Sequence, residues 1–238
     1  FELSEASNTP VMVELRIRAC HVHGSFVAKD NRPPAISRAQ PLSEASFDYG
    51  NIVLPPSSYA QEKHKIEARW PAAVDFIRRE KLNEVFEAEA VDGRPPVQGI
   101  GIVLLGGLYN AVIRGLEQLG LADSFGRTRV ALYVMNVAYP LVPDELTAFC
   151  AKRRAVLVVE EGQPNYIEDA LAALLRRADI QTRIYGKELP GQPGDTGVFA
   201  LAGEYTGEVM QKGLAKFVSA AAPGALDGDH ARAPERVA

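Results

Sequence analysis

Gly99-Ile-Gly-Ile-Val-Leu-Leu-Gly-Gly107 is the first of four apolar, strand-like runs that alternate with helical patterns as far as Phe217. The others are Val130–Val134, Ala155–Glu160 and Thr182–Tyr185, and each gap leaves room for one helix. A crossover helix is what returns a chain to the same end of a sheet, so the alternation predicts parallel strands. The expected fold class is α/β, a parallel sheet with helices on both faces.

The helix limits follow from local chemistry. A first helix over Tyr109–Leu119 stops at Gly120, which tolerates the left-handed backbone of a helix end. A second starts near Pro143-Asp-Glu145, with proline in the first turn and acids where the helix dipole favours them. A third covers Pro164–Arg177 and ends on two arginines. The Gly- and Pro-rich stretch Lys187–Gly203 reads as a loop, and Thr206–Val218 as a last helix. Residues 219–238 carry Ala, Gly, Pro and charge without a period, the pattern of a linker or disordered tail.

Upstream, Thr9-Pro-Val-Met-Val-Glu-Leu-Arg-Ile-Arg-Ala-Cys20 alternates apolar and polar residues and predicts a strand that ends at His21-Val-His-Gly24. A lone strand cannot bury its apolar face, so its sheet partners are expected elsewhere, upstream of residue 1. Residues 25–56 hold five prolines and read as a connection. Ser58-Tyr-Ala-Gln61 has capping-box spacing before a helix that runs toward Trp70. Pro71 ends or kinks that helix or opens the next, and Ala72–Arg79 continues as a charged amphipathic helix. Leu82–Phe86 then leads to a boundary at Pro95-Pro96.

Composition narrows the function classes. The chain has 238 residues, 26 Lys and Arg against 30 Asp and Glu, and no large basic block. That argues against non-specific nucleic-acid binding, which rests on neutralising phosphates. Cys20 and Cys150 form no paired motif, which fits a reduced, cytoplasmic setting. No apolar run approaches the roughly 20 residues that span a bilayer, and no signal peptide is visible. The chain opens on Phe1 in an already patterned segment, so a piece of a longer polypeptide is expected.

The candidate chemical groups are sparse. Gly99-Ile-Gly101 precedes the first strand and Gly106-Gly107 follows it, so the dinucleotide spacing G-x-G-x-x-G is missing; Gly106-Gly107 reads as a sharp strand-to-helix turn. Glu160-Glu161 stands at the carboxyl end of the third strand, where open parallel sheets bind ligands. Adjacent residues leave a strand on opposite sides, so the two are not expected to share a proton. One of them can be a base, a helix-cap acceptor or an interface contact. His21 and His23 share a strand face, with Cys20 opposite, but no third metal ligand is near. His64 and His230 attract no chemistry, and Ser57, Ser58 and Ser124 lack a nucleophile-elbow context. Tyr139-Pro140 reads as a shaped loop that stops the second strand and sets the second helix. No residue is assigned a catalytic or metal-binding role, and cofactor-binding positions stay unassigned.

The order of these parts carries a resemblance. Lys81-Leu-Asn83, Tyr139-Pro-Leu141, Val158-Val-Glu-Glu161, Tyr185-Gly-Lys187 and Gly203-Glu-Tyr-Thr206 follow the alternating Thr9 segment in sequence. From about Thr9 to Phe217 the chain resembles the α subunit of indolepyruvate:ferredoxin oxidoreductases, in the thiamine-diphosphate-dependent 2-oxoacid:ferredoxin oxidoreductase family. The resemblance implies that residues 1–24 end a thiamine pyrimidine-binding domain and that 25–96 form a helical connector. It implies a transketolase C-terminal-like, flavodoxin-like domain over 97–218 and a linker or tail over 219–238. It further implies a parent enzyme that oxidatively decarboxylates arylpyruvates such as indolepyruvate and passes electrons to ferredoxin or a similar acceptor. Thiamine diphosphate, a divalent metal and iron–sulfur clusters belong to that parent. Asp227-Gly-Asp229 lacks the long metal-binding continuation of the diphosphate motif, and no cluster-binding cysteines are present. This segment is therefore expected to be inactive alone and to bind none of these groups. Its expected role is to brace other domains of the same polypeptide and a partner subunit in an oligomer, without nucleic acid or membrane. The alternative is a stand-alone α/β module that holds a small ligand at the strand ends or regulates another protein.

Overall fold

A computed structural model describes residues 1–15, 17, 52–162, 164–190 and 197–226. The chain divides into two compact units, residues 1–80 and 81–238.

In the first unit, helix α1 (Glu2–Ser7) ends on Asn8, whose φ of 49° is the left-handed conformation of a helix stop. The strand expected over Thr9–Cys20 is absent across its described part: residues 10–15 pair with no strand. Met12, Val13 and Leu15 are left exposed. Alternation marks a strand only when a sheet edge is there to pair with, and among the described residues none is supplied.

Helix α2 (Ser57–His64) begins one residue before the expected capping box, behind Pro56, and no side chain caps it. It leads through a wide π-type turn, Lys65–Arg69, into helix α3 (Trp70–Arg79). Pro71 sits in the first turn of α3. Its ring would crowd the carbonyl one turn earlier in a regular helix, and the widened turn makes room for it. The chain thus stays helical where a stop or kink was one expectation. Arg69 Nη1 donates to the Asn8 carbonyl (3.2 Å), which ties this turn to the end of α1.

The second unit is a flavodoxin-like α/β fold. Strands β1 (Glu84–Phe86), β2 (Ile100–Leu105), β3 (Ala131–Met135), β4 (Ala155–Val159) and β5 (Arg183–Tyr185) form one sheet in the order β1-β3-β2-β4-β5. The four expected strands are all present and parallel; Ile102 pairs with Leu132 on one side and Leu157 on the other. Strand β1 was not expected. It runs antiparallel to β3, with Val85 opposite Tyr133, so residues read as connector supply a sheet edge.

Helices α4 (Tyr109–Gln118), α5 (Pro143–Ala151), α6 (Tyr166–Arg177) and α7 (Gly207–Ala221) cover both faces. Side chains of a strand alternate between faces, and the core divides accordingly. Ile100, Ile102, Leu104, Leu132 and Leu157 pack with α4 and α7, through Val112, Leu116, Met210, Leu214 and Phe217. Val103, Tyr133, Val156 and Val158 pack with α5 and α6, through Leu146, Phe149, Leu171 and Leu175. Each fully buried Leu or Ile contributes about 1.5–3 kcal/mol. Gly120 stops α4 with φ of 68°, and Thr206 caps α7 by accepting from Val209 N (3.4 Å). Helix α7 runs on to Ala221, and Ala221 and Ala222 are buried. The start of the expected tail is therefore core; residues 227–238 lie outside the described residues.

Candidate functional site

In an open parallel sheet the ligand crevice lies beyond the carboxyl ends of the strands where the winding reverses. Here the chain crosses from β3, on one side of β2, to β4 on the other, so the crevice position lies between the ends of β2 and β4. The loops there are Gly106–Leu108 and the segment from Glu160.

Gly106–Leu108 is a single 3₁₀ turn leading directly into α4. A Cβ on Gly106 would run into the Asn136 side chain at the end of β3, so glycine is needed for close approach. Asn136 Nδ2 in turn donates to the Leu82 carbonyl and to Glu84 Oε2, both at 2.9 Å.

Glu160 is 6% exposed and turns back onto the helix that follows it. Its two oxygens accept from Ile167 N (3.0 Å each), and Oε2 also accepts from Glu168 N (3.3 Å). These are first-turn amides of α6, which have no partner within the helix. Of the three roles open to this glutamate, the structure assigns the helix cap. Glu161 leaves on the other side, and its Oε1 accepts from Tyr205 N (2.7 Å). The two carboxylates thus serve amides of different segments.

Glu168, buried in the first turn of α6, reaches across to the loop after β5. Its carboxylate accepts from Lys187 N (2.9 Å) and Glu188 N (3.4 Å). Burial pushes its pKa above the ordinary carboxylate value, against the opposing pull of those two amides and of the Lys187 charge. The buried Lys187 ammonium donates to the Gly162 carbonyl. Tyr205 closes the arrangement: its hydroxyl donates toward the carbonyls of Glu160 (3.1 Å) and Ala200 (3.2 Å), and its ring stacks on Phe199. Burial, then the charges of Glu161, Glu168 and Glu160, hold its phenol well above the ordinary range.

Three of the short motifs thus converge at one end of the sheet: Glu160-Glu161, Gly186-Lys187 and Tyr205. A fourth forms a second network beside it. Asn83 Nδ2 donates to the Tyr133 hydroxyl (3.2 Å), which donates to Glu145 Oε2 (2.7 Å), while Asn83 Oδ1 accepts from Val137 N (3.0 Å). Tyr133 is fully buried, and burial raises its phenol strongly. In both networks the carboxylates serve backbone amides and hydroxyls. The arrangement joins loops to helices, and for the alternative small-ligand reading the α6 amino terminus is already filled by Glu160.

The remaining candidates are dispersed. His64 is exposed on α2, Ser57 and Ser58 open the same helix, and Ser124 is exposed in the loop before β3. Tyr139, exposed, precedes the cis Pro140 in the loop between β3 and α5. Cys150 is buried on α5, where burial pushes its thiol up to about 12 and removes it as a nucleophile. Cys20, His21, His23, Gly228 and His230 lie outside the described residues. Among the described residues no three His, Cys, Asp or Glu side chains gather to hold a metal ion. No described helix is long and apolar enough to cross a membrane.

Nothing in the local sequence marks Glu168 or Tyr133 as a polar anchor. A glutamate in the first turn of a helix is expected on dipole grounds alone, and a tyrosine in an apolar strand reads as core.

No protein-family model matches the chain. It is similar to curated indolepyruvate oxidoreductase subunits named IorA. The protein from Methanothermobacter thermautotrophicus is 26% identical over 189 residues, and that from Methanothermobacter marburgensis 22% over 187. Both alignments take in 79% of this chain and 27% of the relative. The chain thus spans about a quarter of the length of the curated relatives it matches.

Proposed function

We propose that this chain is a bracing segment of a thiamine-diphosphate-dependent oxidoreductase that oxidatively decarboxylates arylpyruvates such as indolepyruvate. The observation that carries the reading is the likeness to indolepyruvate oxidoreductase subunits across 79% of the chain. The consumption of Glu160, Glu161 and Glu168 by backbone amides supports a bracing role over a catalytic one. Thiamine diphosphate, its divalent metal and the iron–sulfur clusters are assigned to parts of the enzyme other than these residues. The flavodoxin-like unit faces those parts and a partner subunit in a cytoplasmic oligomer, and electrons pass to ferredoxin or a similar acceptor. The unit's own work is positional: it holds the strand-end loops in fixed register so that adjoining domains meet a rigid surface.

The test is reduction of a low-potential acceptor by indolepyruvate, with the full-length polypeptide and its partner subunit. Thiamine-dependent turnover is expected. Loss of turnover with every arylpyruvate and 2-oxoacid tried would overturn the assignment. For the bracing role, Tyr205→Phe is introduced into the same polypeptide. Lower thermal stability with unchanged kcat per folded enzyme is expected, and a fall in kcat at unchanged stability would refute it.

A further inference from the structure

We draw no further inference here: the strongest candidate, the exposed Phe125 ring held at the tip of the hydrogen-bonded loop between α4 and β3, is an apolar surface with nothing in the structure to show what covers it.

Discussion

Replacing Glu160 by alanine separates a structural carboxylate from a functional one. Glu160 accepts from the Ile167 and Glu168 amides at 3.0–3.3 Å and is nearly inaccessible to water, so after truncation those amides stay desolvated. Hydrogen bonds to a charged acceptor contribute about 1.5–3 kcal/mol. The lost interaction with the α6 dipole adds about 0.3–1 kcal/mol. Together the expected destabilisation is about 2–4 kcal/mol. Glu160→Gln keeps one carbonyl acceptor but loses the charge and replaces the second oxygen with an NH2 donor, so a cost of about 1–2 kcal/mol is expected. The assay is urea unfolding followed by far-UV circular dichroism, because the single tryptophan, Trp70, belongs to the other unit. Amide hydrogen exchange at residues 167 and 168 gives the local readout and should accelerate in the alanine variant. Groups kept for binding or catalysis commonly cost stability, and removing them tends to raise it. An alanine variant that unfolds at or above the wild-type urea midpoint would therefore refute the cap and reopen the strand end as a site.

Three further outcomes are expected. Tyr133→Phe leaves Asn83 and Glu145 without their shared hydroxyl and should cost about 1–2 kcal/mol in the same urea assay; an unchanged midpoint would dissolve that network. Gly101→Ala places a methyl 2.5 Å from Arg153 Cδ and 2.9 Å from Phe149 Cζ, overpacking expected to lower stability by about 1–3 kcal/mol, and a neutral calorimetric result would contradict it. Glu168 has a native pKa above its unfolded value, so the protonated form favours folding. Its contribution is fully present below the unfolded value, about pH 4.3, and is lost as pH rises through the raised native one. Glu168→Gln should accordingly gain on the wild type as pH rises from 4 toward neutrality, and a difference that moves the other way would reverse the assignment.

The apolar runs at Gly99, Val130, Ala155 and Thr182 and the helix signals between them were sufficient to place four strands and four helices. Period and capping act within a few residues, so they are written locally. Gly120, Pro143 and Arg176-Arg177 sit where such local rules require. Strand β1 was hidden because three residues carry no period, and only the exposed edge of β3 makes Glu84–Phe86 a strand. The described part of the segment after Thr9 shows the converse, a clear period that pairs with no strand among the described residues. The two glutamates at the end of β4 were recognisable as divergent from strand geometry alone. What each of them binds was decided by the tertiary structure, which brings Ile167 to Glu160 and Tyr205, 44 residues distant, to Glu161. The same holds for Glu168 and Lys187, 19 residues apart, since a buried carboxylate and the amides it serves meet only once the β4 and β5 crossovers have packed. Local sequence thus determined the elements and where they stop, through backbone preferences that need no neighbour. Long-range packing determined which polar groups lost water together, and so which of them became structure.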